Sequence, residues 1–267
     1  MGLGVSSVGR VRLAGELALV TGSTAGIGRA IATRFATEGA AVVVTGRNRE
    51  RADAVVGAIT EGGGIAHAVV ADVGSENECA RLIAEATDAL GGLTVLVNNA
   101  VASTVDDADG PVAELSTEAW DTSLRVNLSA PMWLCRAAVA HMIRAGHGSI
   151  VNISSRQAER ASNGFTAYVA SKAGLNGLTR AIAVDYAARN IRCNTISPGY
   201  VINERRDRDL TDERRARLEA MHLTRLGEAD DVALAAVYLA SRESEFVTGM
   251  NLPLDGGGSI ARGAVLG

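Results

Sequence analysis

A single-domain, doubly wound parallel α/β sheet with helices on both faces is the fold this sequence predicts, and three observations predict it. Short apolar runs alternate with longer stretches of helical period from one end of the chain to the other, without internal repeats or low-complexity linkers. The runs are continuous blocks of Val, Ile, Leu and Ala, as strands buried on both faces require. The 267 residues are 47% hydrophobic but only 3% aromatic, so the core is built of small aliphatic side chains, and 30 glycines against 4 prolines indicate tight turns.

The chain opens with an arm, residues 1–14, expected to be loose. Residues 17–21 form a first strand, which turns through Gly22, Ser23, Thr24, Ala25, Gly26, Ile27 and Gly28 into a helix ending near Glu38. Glycine at such a turn lets the backbone approach a pyrophosphate closely, and the helix N-terminus beyond it offers unpaired N–H groups and a favourable dipole. A tight turn alone would use the same residues. Residues 41–45 make a second strand, ending at Gly46-Arg47-Asn48, and residues 65–71 a third, closing on Asp72-Val73. The next helix begins with a capping box, Ser75 to Glu78, in which serine and glutamate each satisfy an orphan N–H. A fourth strand, 93–97, runs into Asn98-Asn99-Ala100-Val101, where asparagine either fixes the neighbouring backbone or makes a turn. Helical pattern over about 116–144 carries Trp120 and Trp133 as packing residues. It also carries Asn127, out of place in a helix interior because its side chain competes for backbone hydrogen bonds. A fifth strand, 149–153, leads into Ser154-Ser155. An alanine-rich helix bearing Tyr168 and Lys172 follows and ends near Ala188, then a sixth strand, 191–196, and Ser197-Pro198-Gly199. Residues 200–226 hold seven arginines and six acidic residues, a solvated, salt-bridged helical segment placed to fold over a site as a lid. A last helix, about 230–240, leads to a short strand and turn at 251–258.

The formal charge of −4 argues against nucleic acid or an anionic membrane as the main partner. Cys79, Cys135 and Cys193 are widely spaced and odd in number, which signals neither a disulfide framework nor a metal site; all three are expected to be buried small hydrophobes in a reducing cytoplasm. His67, His141, His147 and His222 follow no ligand motif, so no metal is expected. The first residues lack the apolar core and cleavage site of a signal peptide. They fit the loose myristoylation pattern, but so short a pattern is common by chance and no lipid is expected. The longest uncharged stretch, 89–105, contains Gly91, Gly92, Asn98 and Asn99 and reads as a buried strand with its loop rather than a membrane span.

Chemistry concentrates between Ser155 and Lys172. On a helix, residues four apart share one face, so the Tyr168 phenol and the Lys172 ammonium can meet. A free phenol, with a reference pKa of roughly 10, is a poor acid at neutral pH, and a nearby cation favours the phenolate and lowers that value. Tyr168 then becomes a proton donor or acceptor at neutral pH. Ser155 follows a strand directly, at the carboxyl edge where open α/β sheets place their ligands. A tyrosine and a lysine at this spacing also occur as an ordinary surface pair, and it is the serine and the rest of the chain that give the pair its meaning.

With these residues in place, the chain from about Glu16 to Gly258 resembles a short-chain dehydrogenase/reductase, of the length typified by 3-oxoacyl-carrier-protein reductases. The glycine spacing matches the family's T-G-x-x-x-G-x-G, and the other signatures come in family order. The resemblance implies a Rossmann-type sheet of about seven strands, an NAD(P) cofactor and a four-residue active site. Asn127 then holds a proton-relay water, Ser155 polarises the carbonyl, Tyr168 is the acid/base, and Lys172 binds ribose hydroxyls while lowering the tyrosine's pKa. Cofactor contacts are expected from Gly22, Ser23, Thr24, Gly26, Ile27, Gly28, Arg47, Asn48, Asp72, Val73, Asn99, Ala100, Tyr168, Lys172, Pro198, Gly199 and Val201. Gly46 stands where NAD-preferring relatives carry an aspartate, and Arg47 resembles the basic residue that receives a 2′-phosphate, so NADP(H) is favoured while NAD(H) stays open. Two positions depart from the pattern: Val101 replaces a glycine, and Asn203 a threonine that touches the nicotinamide carboxamide. The leading reading is an NADPH-dependent carbonyl reductase; an NAD-dependent dehydrogenase of a sterol, polyol or other secondary alcohol is the alternative, and a dinucleotide sensor without turnover the third. Pocket walls are expected at 101–104, 156–165 and after Gly199, around a small-molecule carbonyl or alcohol. Relatives imply a homotetramer.

Overall fold

The computed structural model describes residues 11–102, 108–204 and 206–260. Seven strands, β1 (Leu17–Val20), β2 (Ala41–Gly46), β3 (Ile65–Val70), β4 (Val95–Asn98), β5 (Gly148–Ile153), β6 (Ile191–Pro198) and β7 (Asn251–Leu254), pair in parallel throughout. Their order is β3-β2-β1-β4-β5-β6-β7, so the chain winds outward from β1 and then returns to the other side of it. That reversal opens a crevice between the carboxyl ends of β1 and β4.

Strict alternation along the strands explains why the apolar runs are continuous. Ala18, Val20, Val42, Val44, Val95 and Val97 pack on one face with α1 (Gly26–Thr37), α2 (Arg49–Glu61) and α8 (Ala229–Ala240). Leu19, Val43, Leu96, Ile150 and Cys193 pack on the other with α3 (Glu76–Leu90), α5 (Ala130–Ala145) and α6 (Thr166–Tyr186). A residue on either face meets a helix, and both faces are dry. The three cysteines are buried, as expected of small hydrophobes, and burial pushes the Cys79 and Cys135 thiols up to about 12. No helix among the described residues is long and apolar enough to cross a membrane.

Four expectations need correction. Residues 11–14 are not a loose arm: Leu13 is fully buried, its N–H donates to the Glu38 carbonyl at 2.8 Å, and Arg12 pairs with Glu243 at 2.5 Å. The rest of that arm and the myristoylation pattern lie outside the described residues. The capping box of α3 is made by half: Ser75 accepts the Glu78 N–H, but the Glu78 carboxylate turns to Arg81, and the Ser75 N–H donates to the Asp72 carbonyl instead. The long helix at 116–144 is two helices, α4 (Thr117–Leu124) and α5, joined by a π-helical turn, Arg125–Ser129. There the Ala130 N–H reaches back five residues to Arg125. Pro131, four residues after Asn127, has no N–H with which to close an α-turn onto the Asn127 carbonyl. Among the described residues of the segment 200–226, only α7 (Asp212–Glu219) is helical, with the expected ion pairs Arg215–Glu219 and Arg217–Glu213.

Candidate active site

The crevice is built by backbone. Gly22 takes φ +63°, which turns β1 sharply toward α1. Asn99 draws the end of β4 against that turn: its N–H donates to Thr21 Oγ1 at 2.9 Å, and its side-chain amide to the Thr21 and Gly22 carbonyls at 2.8 and 3.2 Å. Asparagine past β4 therefore fixes neighbouring backbone. Gly28 packs so tightly here that a Cβ on it would press into the Gly22 carbonyl and the Asn99 amide. Val101 does not take a positive φ, so this backbone accommodates valine where the family pattern leads one to expect glycine.

The residues present fit a dinucleotide. Ala25, at the capping position of α1, has no side-chain acceptor, and this leaves the first-turn N–H groups for an anion. Ser23 plays a supporting part instead of a direct one: it is fully buried, donates to the Val20 carbonyl at 2.6 Å, and accepts from the Thr45 N–H at 2.9 Å. Thr24 is half-buried in the same loop, and Ile27 in the first turn of α1. At the end of β2, a Cβ on Gly46 would lie 2.7 Å from the Thr24 methyl, so a larger residue there would require the Thr24 side chain to move. Arg47 is exposed and makes no ion pair among the described residues, whereas the Asn48 side-chain oxygen caps α2 by accepting the Arg51 N–H at 2.8 Å. Asp72 accepts the Gly74 N–H with one oxygen, beside Val73. Ala100 donates to Thr21. Beyond Pro198, the Gly199 N–H goes to Leu254, and Val201 pairs with Gly227. Asn203 caps a turn by accepting the Arg206 N–H at 3.1 Å, while its Nδ2 lies 3.1 Å from where a Gly26 Cβ would stand. The segment that was expected to form a lid thus lies against the glycine loop, and Arg29 of α1 pairs with Glu204 at 2.9 Å.

The four chemistry-bearing residues converge on β5 and α6. Lys172 is buried, its Nζ donates to the Ile153 carbonyl at 2.8 Å and lies 5.7 Å from the Tyr168 ring centroid, and burial lowers its pKa to about 8. Ser154 donates to the Lys172 carbonyl at 3.2 Å and clamps the helix to the strand end. Ser155 accepts the Gln157 N–H at 3.1 Å, so its own proton is available to an oxygen in the pocket. Asn127 is buried with both polar side-chain atoms engaged: Oδ1 accepts from the Ala102 N–H at 2.9 Å, and Nδ2 donates to Ser123 and Ser171 at 3.2 and 3.1 Å. Ser171 in turn donates to the Tyr168 carbonyl at 2.7 Å. Of the expected pocket walls, residues 103 and 104 lie outside the described residues, while Arg156 reaches the carbonyl of Met221 at 3.4 Å.

Sequence reasoning missed Ser123 and Ser171, which hold Asn127, and Asp109, which caps α6. Ser171 lies three residues after Tyr168 on the same helical face, and that spacing could have found it.

Comparison with known proteins finds relatives along nearly the whole chain. Residues 22–259 match the family model described as enoyl-(acyl carrier protein) reductase. The chain is 37% identical over 249 residues to 2,5-dichloro-2,5-cyclohexadiene-1,4-diol dehydrogenase of Sphingobium indicum, covering 93% of this chain and 98% of that protein. A crystal structure of a gluconate 5-dehydrogenase from Burkholderia cenocepacia, in complex with NADP and tartrate, superposes with a TM-score of 0.87 at 34% identity, covering 95% and 98% of the two chains. A 7α-hydroxysteroid dehydrogenase complexed with NADH and 7-oxo glycochenodeoxycholic acid gives 0.86 at 34%, covering 93% and 96%.

Proposed function

The chain belongs to the short-chain dehydrogenase/reductase family, whose members are NAD(P)-dependent oxidoreductases of secondary alcohols and ketones, and from that premise we propose an NADPH-dependent carbonyl reductase with Asn127, Ser155, Tyr168 and Lys172 as its working residues. When bound, the nicotinamide supplies or accepts the hydride. Everything else falls to the protein. Ser155, its oxygen already accepting from Gln157, donates its proton to the substrate carbonyl oxygen. Tyr168 gives the proton that completes the alcohol, and Lys172 beside it favours the phenolate left behind. The carbonyl of Asn127, which Pro131 cannot engage, holds a water through which Lys172 and Tyr168 are reprotonated. The observation that carries this reading is the buried Lys172 ammonium, fixed to Ile153 beneath the Tyr168 ring.

NADPH is proposed over NADH because Gly46 offers no carboxylate to hold a ribose 2′-hydroxyl, while exposed Arg47, without an ion pair among the described residues, suits a 2′-phosphate. The structural relatives carry either cofactor, and oxidation of a secondary alcohol with NAD(H) is the second reading. A screen of ketones with NADPH and alcohols with NAD decides the direction: ketone reduction limited to NADPH is expected, and alcohol oxidation with NAD alone would contradict it. A cytoplasmic homotetramer is also proposed, with exposed Val184 and Phe246 among the apolar surfaces it would cover; sedimentation should give four copies, and a monomer would refute it.

A further inference from the structure

Helix α6 carries Tyr168 and Lys172, yet its own sequence gives it no N-terminal cap. Phe165 occupies the capping position and has no side-chain acceptor. The two amides that a local Ser, Asp or Asn would satisfy are those of Ala167 and Tyr168. Asp109 takes both: the Ala167 N–H donates to Oδ1 at 3.0 Å and the Tyr168 N–H to Oδ2 at 2.8 Å. The Gly110 N–H also donates to Oδ1, at 2.9 Å, which fixes the carboxylate's orientation. The cap is supplied from 58 residues away in sequence, by a half-buried side chain in the connection between β4 and α4.

The other end of that connection is fastened as well, because Ala102 donates its N–H to Asn127 Oδ1. Ala102 is therefore tied to the Asn127 side chain, and Asp109 to the backbone of Tyr168. A carboxylate at this helix end satisfies two orphan donors and meets the positive end of the helix dipole, so the first turn of α6 is complete only with the Asp109 carboxylate in place.

We infer that Asp109 is a positioning residue for Tyr168: by closing the first turn of α6 from the pocket-side connection, it holds the phenol in register with Ser155. The inference rests on the acid/base reading of Tyr168 and adds a residue that acts through that helix without touching the reacting atoms. A purely structural cap would lower melting temperature and leave the turnover of folded enzyme alone.

The test compares full-length wild type, Asp109→Ala and Asp109→Asn, each saturated with NADPH, using a ketone found by screening, with Tyr168→Phe as control. Amide hydrogen exchange over residues 166–172 is read beside kcat and KM. Asp109→Ala should exchange faster in that segment alone and lose about tenfold to a hundredfold in kcat, with the cofactor KM changed less than about twofold. Asp109→Asn keeps one carbonyl oxygen that can accept, and should fall between in both readouts. Unchanged exchange and turnover in Asp109→Ala overturns the inference; so does lost turnover with unchanged exchange, or a rise in substrate KM alone, which would make Asp109 a substrate contact. If Asp109→Ala does not fold, Asp109→Asn carries the same readouts, and wild-type behaviour in it overturns the inference. A Tyr168→Phe variant that keeps turnover removes the acid/base reading and this inference with it, whereas an inactive Tyr168→Phe beside an unperturbed Asp109→Ala overturns the inference alone.

Discussion

Lys172 Nζ donates to the carbonyl of Ile153 at 2.8 Å, so the tyrosine helix is pinned by a buried ammonium to the last residue of the strand that leads into Ser155. The arrangement makes the site rigid at the cost of desolvating a charge, and the cost shows in a lysine pKa lowered to about 8.

That lowered value sets a pH dependence of stability. Between about 8 and the ordinary lysine value of about 10.4, the unfolded chain binds more protons at this position than the folded one, so this group makes stability rise with pH. The cost is fully present below pH 8 and gone above the unfolded value. Urea unfolding of wild type and Lys172→Met in the absence of cofactor should show wild type gaining on the variant by about 2 kcal/mol between pH 7 and 9.5. A difference that does not change with pH would mean that the ammonium is solvated.

Arg47→Ala should weaken NADPH binding by about tenfold to a hundredfold, the worth of one charge-assisted hydrogen bond to the 2′-phosphate, and leave NADH nearly unchanged. Fluorescence titration of both cofactors checks it. Equal affinities in the wild type would contradict the assignment.

Gly28→Ala adds one methyl where the Gly22 carbonyl and Asn99 amide already meet the backbone. Overpacking of this kind costs about 1–3 kcal/mol, and relief by moving α1 away from β4 would also open the crevice. The variant should melt lower and bind either cofactor more weakly. Wild-type affinity would show that the close approach has no bearing on the site.

Phe35 is fully buried between α1 and the sheet. Phe35→Ala should cost about 3–5 kcal/mol in denaturant unfolding while leaving the NADPH:NADH preference untouched, because the residue lies remote from the carboxyl edge. A changed preference would contradict the separation of core from site.

Much of this was legible in the sequence because it is local. Parallel strands buried on both faces show as unbroken aliphatic runs, and the glycine turn after β1 and the Tyr168–Lys172 pair each depend on spacing within one element. Asn127 was legible as an anomaly, and the π-turn with Pro131 gives its cause. Leu13 was lost in a stretch without periodicity, since a single docked side chain leaves no pattern. Glu78 could not be foreseen to choose Arg81 over its own cap, because the two local partners compete and only geometry decides. Asp109 left no trace at all, for the amides it caps are reached only once the sheet has brought β4 and α6 together.

The central claim is that Tyr168 is the proton donor. Tyr168→Phe removes one hydroxyl from a partly exposed side chain, so the variant should melt near wild type and still bind NADPH, losing at most the worth of one neutral hydrogen bond. With a ketone on which wild type turns over, its kcat should fall by about a hundredfold to ten-thousandfold, the range that general acid catalysis contributes. Turnover near the wild-type rate in a variant shown to be folded would contradict the mechanism.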